Sequence, residues 1–198
     1  MLTLLPARQM TCLLSLAFGK KAAFMLLVYQ RMVPELRSFV SAHRRDFSCF
    51  QEASVRFWSS LTDDSVHPWL DLRARLLNEL PDSEQFGSHD AYFALNCGLV
   101  AAELAGFLAD RQDSHILDAI GYARDSLDAN ATREREAFIY DEHVENEVEA
   151  DPLVKRERRT EEEDVALLGT LPDPPWARNI LSMLQARAAA QSSLLSAP

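Results

Sequence analysis

Apolar positions recur along this chain every three or four residues. Phe24, Leu27, Val28 and Met32 keep that spacing and predict an amphipathic helix. Pro34 follows. Proline suits a first helical turn, so the pattern predicts a kinked or broken pair, with a fresh helix through Phe39. Phe47, Phe50, Ser54, Phe57, Trp58 and Leu61 form the most regular stripe, a core helix ending at the turn signal Thr62-Asp63-Asp64-Ser65. His67-Pro68 opens another, with Trp69, Leu72, Leu76, Leu77 and Leu80 on its inner face and Pro81 closing it. Asp113 and Ser114 offer caps for a helix along Ile116, Ala119, Ile120, Ala123 and Leu127. Asp151-Pro152 and Asp173-Pro174 each read as an N-cap and first-turn proline, the second introducing Trp176, Ile180, Met183 and Leu184. No useful stretch alternates with period two, and the chain has only 6 glycines, so strands have little support. The predicted fold is all-α. It is a single-domain bundle of about seven or eight helices over residues 1–189, arranged around a central apolar helix, with 190–198 a frayed tail.

That central helix is the stretch AYFALNCGLVAAELAGFLAD, Ala91 to Asp110. A bilayer needs roughly twenty predominantly apolar residues, so length alone fits a membrane span. Energy argues against one. Its large apolar side chains contribute about -0.5 kcal/mol each on an insertion scale, and a central glutamate returns a penalty of similar total size. Glu103 is that glutamate, Asn96 adds to it, and no basic anchors flank the stretch. A helix buried by protein is the expectation, with no membrane partner. Gly98, Ala102 and Gly106 make one side small enough for close helix packing, whereas His89, Asn96, Glu103 and Asp110 recur every seven residues along another line. A helix apolar nearly all round is central, so Asn96 and Glu103 are expected to be partly buried, where a carboxylate seeks a donor or a proton. The simpler alternative is a wet edge or a satisfied polar pair.

Charge narrows the classes of partner. With 30 acids against 20 bases the net charge is -10, which opposes phosphate-backbone binding, and nucleic acid is not expected as a partner. Cys12, Cys49 and Cys97 show no Cys-x-x-Cys spacing and read as reduced core thiols of a cytoplasmic protein. Arg8 followed by MTCLLSLAFG resembles a short leader, but Lys20 and Lys21 interrupt the apolar run, and two consecutive helices are the expected reading.

A di-iron bundle needs glutamate three residues before histidine. The residues three before His43, His67, His89, His115 and His143 are Val40, Asp64, Phe86, Gln112 and Tyr140, and the near miss at Asp64 lies in a turn. His-Glu-x-x-His, phosphate-loop, Gly-x-Gly-x-x-Gly and Gly-x-Ser-x-Gly motifs are absent. No metal, cofactor or catalytic residue is therefore assigned, and whether the chain is an enzyme stays open. Acids crowd residues 134–164, where Asp141, Glu145 and Glu149 form a like-charged row if helical. A hard cation or a basic partner could relieve that row, and a solvated, salt-screened surface is the plainer expectation.

From about Lys20 to Leu168 the chain resembles the bacterial helical family called domain of unknown function 416. The resemblance runs through FMLLVYQRMVPELRSF, AYFALNCGLVAAEL and EVEADPLVKRE. It rests on Arg31-Met32 with Pro34 and Phe39, on Tyr92, Cys97 and Glu103-Leu104, and on Pro152, Val154 and Glu157. It implies a compact all-α domain from a bacterium and brings no activity, cofactor or catalytic residue with it. The leading expectation is an uncharacterised, non-catalytic cytoplasmic domain acting through a protein partner or self-association by an exposed apolar helix face. The alternative is an unrecognised enzyme or small-ligand binder, with a pocket near Glu103 lined by Arg31, Tyr92 and Asn96.

Overall fold

Local helical preference and the apolar stripes act together along nearly the whole chain. The structure, a computed structural model, describes residues 5–62, 67–82, 86, 88–133, 142–191 and 193–195. Among these residues the chain forms nine helices and no strand. They are α1 (Ala7–Ser15), α2 (Phe18–Ala42), α3 (Ser48–Ser59), α4 (Trp69–Asn78), α5 (His89–Asp110), α6 (Ser114–Ala131), α7 (Glu142–Ala150), α8 (Pro152–Thr170) and α9 (Arg178–Ala190).

The helix α5 is central, as the sequence predicts. It packs against α2, α4, α6 and α3, and its buried residues include Phe93, Cys97, Val100, Leu104 and Phe107. Ser88 caps its N-terminus by accepting from the Ala91 amide at 3.3 Å. By length and composition α5 is the one helix among the described residues apolar enough to cross a membrane, and its apolar faces are covered by other helices of this chain. The small side chains seat neighbours closely. Leu80 and Phe50 lie over Gly98, and the His115 ring lies over Gly106.

Several expectations change. The predicted break at Pro34 does not occur, because α2 runs unbroken from Phe18 to Ala42. Proline in a helix interior costs about 3 kcal/mol, whereas each large apolar side chain fully buried returns about 1.5–3 kcal/mol. Met32, Val33, Leu36 and Phe39 flank Pro34 and are all buried, while Pro34 itself faces solvent. The predicted start at Asp173-Pro174 also moves. Asp173 instead pairs with Lys20 at 3.1 Å, and the Trp176 amide donates to the Leu61 carbonyl at 2.9 Å, and the helix begins only at Arg178. Asp151 does cap α8, accepting from the Leu153 amide at 2.7 Å. Of the cysteines only Cys97 is a core residue, since Cys12 is exposed and Cys49 half-buried.

The tail beyond α9 is docked rather than frayed at its described residues. The Leu194 amide donates to the Arg31 carbonyl at 2.9 Å, and the Leu194 side chain is buried. Arg156 donates to the carbonyls of Ser193 and Leu194 at 2.8 and 2.6 Å, and Glu35 accepts from the Leu195 amide at 3.3 Å. Paired backbone groups and one buried leucine offset the ordering cost of about 1–2 kcal/mol per residue.

Candidate functional site

Glu103 lies about two turns from the C-terminal end of α5 and is 6% exposed. Its two oxygens have different partners. The Arg73 guanidinium from α4 approaches one at 3.3 Å, and Nδ1 of His115, at the start of α6, bonds the other. The second ring nitrogen of His115 faces Asp110 at 3.2 Å. A histidine with a carboxylate at each nitrogen donates from both only when doubly protonated. Burial of the ring opposes that charge, but the bonds to Glu103 and Asp110 outweigh it and raise the His115 pKa above its ordinary 6.5. Gly106 makes room for the arrangement, because a Cβ there would stand 2.6 Å from Cε1 of the ring.

The other residues predicted to share this site lie in different environments. Asn96 is buried and donates to the Ser126 hydroxyl at 3.1 Å, with a further side-chain bond to Tyr92. Arg31 has no contact in common with Glu103. Its guanidinium points from α2 to α8, where Nε and Nη2 meet Glu157 at 2.8 and 2.7 Å and Nη1 meets Asp164 at 2.8 Å. Gln191 accepts from the same Nη1 at 2.9 Å and donates to Asp164 at 3.2 Å, while Arg187 donates to Asp164 at 2.6 Å. Tyr92 and Asn96 therefore belong together, and Arg31 and Glu103 head separate clusters.

The acidic segment is turned inward more than its composition suggests. Glu157, Glu161 and Asp164 follow Val154 and precede Val165 and Leu168 on one buried face of α8. That spacing carries the signal that was missed: acids at intervals of four and three sit on the stripe that the valines and Leu168 define. Glu149 is bound to Arg124 at 2.8 Å and to Arg158, and Arg124 also holds Asp128 at 2.6 Å. Burial nevertheless pushes the Asp128 carboxyl up to about 6, Arg124 notwithstanding. Asp141 of the predicted acidic row lies outside the described residues. A cavity of about 630 Å³ opens between α1 and α8, with Cys12, Leu16, Arg159 and Ala166 among its walls. None of the four predicted site residues lines it.

No curated protein matches the chain. A crystal structure of a DUF416 family protein from Shewanella baltica OS155 shares the fold, with a TM-score of 0.82 at 17% identity over 93% of this chain and 95% of that one. The family model described as "Protein of unknown function (DUF416)" matches residues 10–193. With that match spanning nearly the whole chain, the protein belongs to the DUF416 family.

Proposed function

We propose that this protein is a non-catalytic cytoplasmic domain of a bacterium that works through protein contacts, first with a second copy of itself. The observation carrying this reading is the outer face of α4. Leu70 is 65% exposed and Leu77 37% exposed, one heptad apart, with exposed Ala74 between them. Leu77 was expected on the inner face, but Leu72 and Leu76 fill that role. Isolated exposed leucines are ordinary, whereas an aligned pair suits a helix-to-helix contact. A two-fold axis crossing α4 between Arg73 and Ala74 sets Leu70 of each copy against Leu77 of the other. Sedimentation equilibrium across a wide concentration range tests this. A dimer that becomes monomeric in Leu70→Glu/Leu77→Glu is the expected outcome, and a wild-type monomer at every concentration overturns it.

The ligand-site reading around Glu103 has less support, because both carboxylate oxygens are already bonded and Glu103 does not line the cavity between α1 and α8. Docking of a basic protein by the acidic segment loses the contribution of Glu157, Glu161 and Asp164, which are buried. The net charge of -10 speaks against nucleic acid.

A further inference from the structure

Glu161 is 0% exposed, and among the described residues neither of its side-chain oxygens has a hydrogen-bond partner. It stands on α8 between Glu157 and Asp164, which both bind Arg31. Charge counting makes the site unusual. Three carboxyl groups share this cluster, while the guanidiniums that close it are Arg31 from α2 and Arg187 from α9. Two cations balance two carboxylates, so the third is buried without a compensating charge unless it carries a proton.

Among the described residues one further cation, Arg158, draws on Glu161. On α8 itself Arg158 is committed to Glu149 of α7, and α6 adds Arg124 and Asp128 to that second, internally paired set. Arg8 from α1 lines the outer groove of α8 together with Arg159, Glu162 and Glu163. Glu35 and Arg156 are occupied by the tail at Ser193, Leu194 and Leu195. Gln191 is neutral and already bridges Arg31 and Asp164.

We propose that this cluster is a clasp that stays shut only while Glu161 holds a proton, so that ionising Glu161 releases α9 and the segment through Leu195 from α2 and α8. The released part has a weaker apolar anchorage than α8, to which it is clasped. Within α9 only Leu181 and Leu184 are buried, whereas Val154, Val165 and Leu168 hold α8 in the core. The same part carries Arg187 and Gln191, which bond Asp164, and Leu194, which bonds the Arg31 carbonyl. Opening it lets water reach Glu161, Glu157 and Asp164, which removes the penalty of a third buried charge.

The direction with pH follows from the protonation state. Burial first, then Glu157 and Asp164, push the Glu161 carboxyl well above its ordinary 4.5, against the pull of Arg31 and Arg158. The closed state is therefore favoured fully below that ordinary value, and the preference is lost progressively as pH rises toward the folded-state value. Each pH unit in that window raises the opening constant by up to about tenfold, since one proton is released.

Amide hydrogen exchange of the whole chain tests the clasp, read at Gln191, Leu194 and Leu195 and corrected for intrinsic exchange rates. In the wild type the opening constant of these amides should climb with pH, while α5 amides stay protected. Glu161→Gln and Glu161→Met, the latter needing no hydrogen bond, should both flatten that climb. A wild-type opening constant independent of pH overturns the proposal by itself. So does a climb that persists unchanged in either variant.

Discussion

At the scale of single residues, the two charged clusters differ in how much water they admit, and this decides what substitution does. His115 is partly screened, and its raised pKa comes from Glu103 and Asp110 acting against burial. The pairing therefore stabilises the fold fully below the ordinary histidine value of about 6.5 and fades as pH rises through the folded-state value. Glu103→Gln should bring the His115 pKa back toward the ordinary value, measured by titrating its ring proton resonance. An unchanged titration would mean that Asp110 alone governs the histidine. Arg31 is a deeper case, because its two carboxylate partners are as buried as it is. Removing one partner from such a set costs about 3–5 kcal/mol, chiefly through the charges left behind. Arg31→Met should destabilise by that order in chemical denaturation, far more than loss of an exposed pair such as Arg159–Glu163, which is worth about 0–1 kcal/mol.

At the scale of elements, most of the architecture was legible from spacing. The stripes Ile116, Ala119, Ile120, Ala123, Leu127 on α6 and Phe50, Phe57, Leu61 around α3 are buried as their period required. Helix ends were legible where a side chain makes the cap, as Asp151 does, and illegible where a competing partner takes the capping residue, as Lys20 takes Asp173. Pro34 does not break α2, because local propensity is a small quantity beside the burial on either side of it. The small side of α5 was correctly read, but its purpose divides: Gly98 admits Leu80, and Gly106 admits a charged ring. Gly98→Ala should destabilise by about 1 kcal/mol, since the terminal methyl of Leu80 must turn aside while Phe50 stays at ordinary contact distance and alanine favours the helix. Gly106→Ala should cost a similar amount and also lower the His115 pKa, since the added methyl displaces the ring from Glu103. That pKa change separates the two glycines in a way that melting temperatures cannot.

At the scale of the whole molecule, the polar residues that periodicity grouped into one site are distributed over different helix junctions. Asn96 and Glu103 share a line on α5, but Asn96 meets Ser126 well along α6, while Glu103 meets His115 at the start of that helix. Arg31 stands on another helix, α2, and nothing in a sequence of apolar stripes reveals that α8 brings its acids to it. Partners from distant chain segments, 126 positions away for Glu157, are set by topology that one-dimensional patterning does not encode. The separation has a measurable consequence. Arg31 contacts Glu157, Asp164 and Gln191, Glu103 contacts Arg73 and His115, and the two sets have no member in common. Substitutions with no shared partner add to within about 0.3–0.5 kcal/mol, whereas residues lining one cavity or network couple by about 0.5–3 kcal/mol. Arg31→Lys keeps the charge and loses the forked geometry, and Glu103→Gln keeps the shape and loses the charge. Combined in one chain, their destabilisations should sum within that narrower limit in urea denaturation. Coupling beyond it would unite Arg31 and Glu103 in a single functional unit and reinstate the pocket that the geometry divides.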